Sequence, residues 1–133
     1  MRHTIFHSLA FTLLLAVAHA VLAQTQQETT VYTCAEYKHA DARLNAIYRQ
    51  ILTKHKKDLQ FIAKFKKAQR AWLKFRDAHL EAIFPAPNKQ EEYGSNFSMC
   101  ACSEMVMLAN QRIAQLQQWL ADNEGDVCAG SRF

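Results

Sequence analysis

An all-α fold is what this 133-residue sequence predicts, and three observations predict it. Between Thr33 and Phe84 there is neither glycine nor proline. Across the same stretch apolar residues recur every three or four positions, the period of a helix with one buried stripe. Pro85 and Pro87 then forbid continuation, and a second helical pattern starts near Ser98. The expected architecture is an up-down-up three-helix bundle with a disulfide-stapled loop and a C-terminal tail, its helices spanning about 34–56, 58–84 and 98–122.

Residues 1–23 stand apart from that domain. Arg2 and His3 give a short basic start, Ile5 to Leu22 is mostly apolar, and the run ends in Ala23 with a second small-residue site at Ala18-His19-Ala20. This is the pattern of a cleaved secretory signal. A membrane helix is the competing reading, but no basic stop-transfer cluster follows, so no stable membrane insertion is expected after cleavage. Val31-Tyr32-Thr33 before Cys34 makes a poor lipidation site. Residues 24–133 then form a single domain with a modest core, periplasmic or secreted.

The first bundle helix opens with Thr33 and Glu36 in capping-box spacing, after which Tyr37, Leu44, Tyr48, Ile51 and His55 share a face. One unbroken helix to Phe84 could not bury its own stripe, so a break falls between His55 and Asp58, with Asp58 as the next N-cap. The second helix turns Ile62, Phe65, Trp72, Leu73, Leu80 and Ile83 inward. Pro85 to Ser95 reads as a loop. In the third helix Met105, Leu108, Arg112, Leu116 and Trp119 share a face, and Gly125 is a candidate terminator.

Polar residues interrupt the inward stripes. Taking roughly 100° per residue, Gln69 and Arg76 fall among the apolar side chains of the second helix, and Arg112 falls mid-stripe in the third. Buried polar groups need partners. Folding the chain back near Lys57 sets Asp41 roughly opposite Lys74 and Asn45 opposite Arg70, with Arg112 at a similar height. Asp41, Asn45, Gln69, Arg76 and Arg112 are therefore expected to meet as one buried hydrogen-bonded layer, with Asp77 able to swing in from the flank. Arginine suits such a layer because its planar guanidinium takes carboxylates bidentately.

The net charge of +4 hides an asymmetry. From Lys38 to Arg76 twelve Lys or Arg face only Asp41 and Asp58, a balance of +10, whereas from Asp77 onward three bases oppose eight acids, a balance of −5. Neighbouring helix faces attracting each other is one reading, and a basic surface for an anionic partner is the other. Nucleic acid is disfavoured by the export signal and by the lack of aromatic residues alternating with the lysines. Cys34, Cys100, Cys102 and Cys128, an even number in an exported domain, favour disulfides. Cys34 lies at the same bundle end as Cys100 and Cys102, whereas Cys128 follows the third helix. No metal is expected, since Cys100-Ala-Cys102 is too tight for a zinc knuckle and His39, His55 and His79 form no ligand pair. Ser95, Ser98 and Ser103 lack a triad context, so neither catalytic residues nor cofactors are expected.

At Asp41, Leu44-Asn45 and Tyr48, the run Ala68-Gln-Arg-Ala-Trp-Leu-Lys-Phe-Arg-Asp77, and Arg112 with Leu116, the chain resembles the LprI-type lysozyme-inhibitor family. The match spans most of residues 24–133. The resemblance implies a small, exported, mostly helical, cysteine-bearing protein that binds a protein partner, a lysozyme among the candidates. Where members often carry a cysteine after the Arg-Asp segment this chain has His79-Leu80, and Ala109 replaces a threonine before the late arginine. The family's disulfide pattern is accordingly not carried over. On the outer face of the second helix, Arg70, Lys74 and Asp77 are the candidate partner-binding residues. The alternative is an envelope-binding module whose basic helices contact anionic lipid or polysaccharide without inhibiting a lysozyme.

Overall fold

The computed structural model describes residues 3–121 and 125–132, with side chains from Thr25 onward. Three long helices make the bundle: α1 (His3–Lys54), α2 (Leu59–Ile83) and α4 (Phe97–Gln117), with a short α3 (Lys89–Tyr93) between the last two. The expected signal segment, residues 1–23, lies outside the residues whose side chains are described. Among the described residues no helix is long and apolar enough to cross a membrane.

The first helix does not start at Thr33. Its backbone is helical from His3, and the Thr33 hydroxyl donates to the carbonyl of Thr29 at 2.9 Å instead of capping anything. Thr29 and Thr30 bond back to Thr25 and Gln26 in the same way. No glycine or proline lies between His3 and Lys54 to stop the helix, and a threonine can satisfy its hydroxyl on the preceding turn as readily as at a cap. The break at the other end is as expected. Lys54 closes α1, and the Asp58 carboxylate accepts from the Phe61 N–H at 2.9 Å to open α2.

The closest helix pair is α1 with α4, which run parallel because α2 carries the chain back between them. Small residues set that spacing. Ala40 and Ala109 are buried along the seam with Leu44, Ile47, Ile51, Ile113 and Leu116, and a disulfide joins Cys34 to Cys102 with Cα atoms 5.0 Å apart. At the far end Lys54 Nζ donates to the Trp119 carbonyl at 3.1 Å. α2 joins through larger side chains: Tyr48 stacks on Phe65 at 5.4 Å, and Phe61 and Phe65 pack on Trp119 at 5.1 and 5.5 Å. Ile83, expected inward, is exposed near the end of α2.

Two further expectations give way. The Pro85 to Ser95 segment is not plain loop: Asn88 caps α3 and Gly94, at φ 67°, ends it, while Phe84, Tyr93 and Phe97 cluster with centroids 5.2–6.2 Å apart. α4 stops at Gln117, well short of Gly125, as the amides of Trp119 and Leu120 bond three residues back to Leu116 and Gln117. That tightening sends Trp119 onto the core, and the tail follows it to bury Ala129.

Of the four cysteines only Cys34 and Cys102 are bridged, and Cys100 and Cys128 are exposed free thiols. Helical geometry separates these two. Cys100 sits in the first turn of α4 and Cys128 beyond its last, so about 25 Å of helix lies between them at 1.5 Å per residue.

The bridge closes a loop between residues 68 apart in sequence. Replacing both partners, Cys34→Ala with Cys102→Ala, should cost about 2–5 kcal/mol in urea unfolding; an unchanged midpoint would show that the seam holds without it. His55 supplies a second test. Its Nε2 is buried without a hydrogen-bond partner among the described residues, against Phe61 at 4.2 Å. Burial, aided by Lys54 and opposed by Asp58, lowers its pKa. The unfolded chain therefore binds the proton more readily, and stability is lost as pH falls below about 6.5. Thermal midpoints at pH values of about 7.5 and 5.5 should draw apart less in His55→Phe than in the wild type.

Candidate functional site

The central turns of α2 present two chemically distinct faces. Inward, Gln69 is 6% exposed, the one polar residue in the described core. Its Oε1 accepts from Arg112 Nε at 3.1 Å, and Arg112 also donates to Gln115 at 3.0 Å. Burial lowers the Arg112 pKa. The Trp72 ring meets two cations, with the guanidinium carbons of Arg76 and Arg112 at 5.7 and 5.8 Å from its centroid. An indole face attracts a cation by its quadrupole, so one ring engages both guanidiniums.

The single layer expected from the sequence does not form; it divides into three groups. Asp41 accepts from Asn45 Nδ2 at 2.9 Å, one turn along its own helix. Gln69 and Arg112 pair with each other. Arg76, its side chain 15% exposed, donates to Asp77 at 2.7 and 2.8 Å, and its Nη1 donates to the Tyr37 hydroxyl at 3.5 Å. The reason is spacing. α2 meets α1 through large side chains, Tyr48 on Phe65 among them, and across that contact Arg76 reaches Tyr37 and not Asp41. Burial raises the Tyr37 pKa, Arg76 opposes the shift, and Asp41 and Asp77 add to it. Tyr37 and Trp72 are thus the residues that the sequence pattern left out of the polar group. Both were visible as stripe residues, but nothing in periodicity marks a stripe residue as a polar partner.

Outward, Arg70 and Lys74 are exposed and lie one turn apart, and Asp77 is 63% exposed while holding Arg76. Nearby Phe75 stands open to solvent and stacks on His79, which pairs with Glu104 of α4 at 3.1 Å. Attraction between basic and acidic helix faces is not the outcome. Among the described residues the ion pairs are Arg76–Asp77, His79–Glu104 and Lys89–Glu81. Only the first draws on the basic segment, and it joins sequence neighbours. The other eleven cations from Lys38 to Lys74 are exposed with no carboxylate within 4 Å among the described residues. The two acids of that segment are engaged elsewhere, Asp41 by Asn45 and Asp58 by the start of α2. Among the described residues no cluster of His, Cys, Asp and Glu could hold a metal ion.

The model of a protein family described as Lysozyme inhibitor LprI matches residues 17–116, well over half of the chain. No curated protein and no solved structure matches it significantly.

Gln69→Ala would leave the half-buried Arg112 without its inward acceptor, and should cost about 1.5–3 kcal/mol. Asp41→Asn keeps a bond to Asn45 and removes no arginine partner, so its loss should stay under about 1 kcal/mol. Urea denaturation of both variants distinguishes this arrangement from a buried Asp–Arg pair, whose loss would cost about 3–5 kcal/mol.

Proposed function

The chain belongs to the lysozyme inhibitor LprI family, and on that premise we propose that it is an exported, non-enzymatic binding protein of the cell envelope that blocks a lysozyme with the outer face of α2. The reading places cleavage after Ala23 and the finished protein in the periplasm or outside the cell. The disulfide between Cys34 and Cys102 supports it, since such bonds persist in oxidising compartments.

The observation that carries the choice of face is the pair Arg70 and Lys74, one turn apart on a helix whose other side is locked into the core. A lysozyme's cleft holds two carboxylates flanking the scissile bond. A guanidinium and an ammonium presented from a rigid helix match that target in charge and need little ordering on binding. The neighbouring Phe75 adds apolar contact at the rim, and Asp77, itself exposed, holds Arg76 in an ion pair. The acidic balance from Asp77 onward steers a cationic lysozyme toward this protein, while the basic segment opposes that steering.

Turnover of cell-wall substrate by a lysozyme, measured with the purified protein in excess, should fall. Arg70→Ala with Lys74→Ala should weaken inhibition by about tenfold or more, the equivalent of one desolvated charged hydrogen bond, whereas Lys89→Ala at the start of α3 should not. Unchanged lysis at low salt with wild-type protein removes the reading for that lysozyme.

A further inference from the structure

The end of the bundle where α1 turns into α2 combines two properties that the core does not explain. Leu59, the first residue of α2, is 78% exposed, and Val127 in the tail is 96% exposed. The tail reaches this same end, because Ala129 and Trp119 line a cleft with Asp58 and Phe61. Around these apolar tips the chain sets Lys56, Lys57, Lys64 and Lys66, all exposed and none with a carboxylate partner among the described residues. The described acids at this end are occupied by backbone amides: Asp58 by Phe61 and Asp126 by Cys128.

Beside Leu59 runs an open groove of about 210 Å³, lined by Leu52, Leu59 and Ile62 and by Lys56 and Lys66. Its three apolar residues come from both helices, with Lys66 contributed by α2 and Lys56 by the turn that joins the two. That pairing of an apolar floor with cationic groups matches the boundary of a membrane, where acyl chains meet phosphate. A soluble anionic polymer would be met by the lysines alone and would have no use for an exposed leucine.

We propose that this end of the bundle docks on an acidic phospholipid surface, with Leu59 and Val127 entering the headgroup layer and Lys56 and Lys66 binding lipid phosphates. The contact is peripheral and salt-sensitive, since each lysine adds about 1 kcal/mol, or about fivefold in partitioning, within a Debye length of the surface. Arg70 stands eleven residues along α2 from Leu59, about 16 Å up the helix, and one turn beyond Lys66. The inference does not depend on lysozyme binding.

The test is co-sedimentation of the exported protein, purified from the envelope so that its natural N-terminus is present, with vesicles of phosphatidylcholine alone or mixed with phosphatidylglycerol. The protein should pellet with the mixed vesicles and not with the neutral ones. Lys56→Gln with Lys66→Gln should reduce the bound fraction by about 25-fold at low salt, and Leu59→Ser should reduce it severalfold with unchanged circular dichroism. Lys38→Gln, far along α1, should have little effect. Absence of binding to the mixed vesicles overturns the proposal. So does binding that ignores Leu59→Ser and is abolished by dextran sulfate, the behaviour of a surface for anionic polymers.

Discussion

The close parallel seam between α1 and α4 is the constraint on which the other contacts depend. Two alanines, Ala40 and Ala109, let the backbones approach, and Leu44, Ile51, Ile113 and Leu116 fill the seam until almost no surface remains. Helices that run parallel in a three-helix bundle require an intervening antiparallel one, so α2 must lie across them. It cannot come as close, because its inward residues are Phe61, Phe65 and Trp72. One bundle thus has a tight pair and a looser third helix, and the polar chemistry collects at the looser contact.

That division gives the polar residues of α2 separate tasks. Gln69 is small enough to be buried and offers Arg112 an uncharged acceptor, which avoids the desolvation of a full ion pair. Trp72 fills the remaining space and receives both guanidiniums on its ring. Arg76, largely covered as well, has a carboxylate from its own neighbour. The motif that signals the family is therefore chiefly the internal fastening of α2, and the freely exposed Arg70 and Lys74 are the positions where the same helix meets solvent.

What could be read in the sequence follows from the range of each interaction. The all-α class, the break at Asp58, the stop at Pro85 and the inward placement of Gln69 and Arg112 all depend on one helix and its own neighbours, and each is legible. Thr33 and Glu36 had the spacing of a cap, but a threonine within a helix satisfies the same hydroxyl, so the motif alone does not locate an end. The single polar layer failed for a different reason. Matching heights along helices locates residues in one dimension, and whether Asp41 reaches Arg76 depends on the separation of axes, which the size of Phe65 and Trp72 decides. The cysteines follow the same logic: Cys34 and Cys102 share a bundle end, whereas the length of α4 stands between Cys100 and the tail that carries Cys128.

The tight seam also orders events in time. Its two halves sit near opposite ends of the chain, with the bridged cysteines 68 residues apart. As synthesis proceeds, α1 and α2 can meet only through their looser aromatic contact, and the partner that α1 packs against best does not exist until α4 has emerged. Folding is then dominated by a non-local contact, formed late and closing slowly for a helical protein of this size. A polypeptide that withholds its tightest interface until α4 is made keeps an incomplete core up to that point. That is the state in which a chain can be threaded through a narrow pore before it folds.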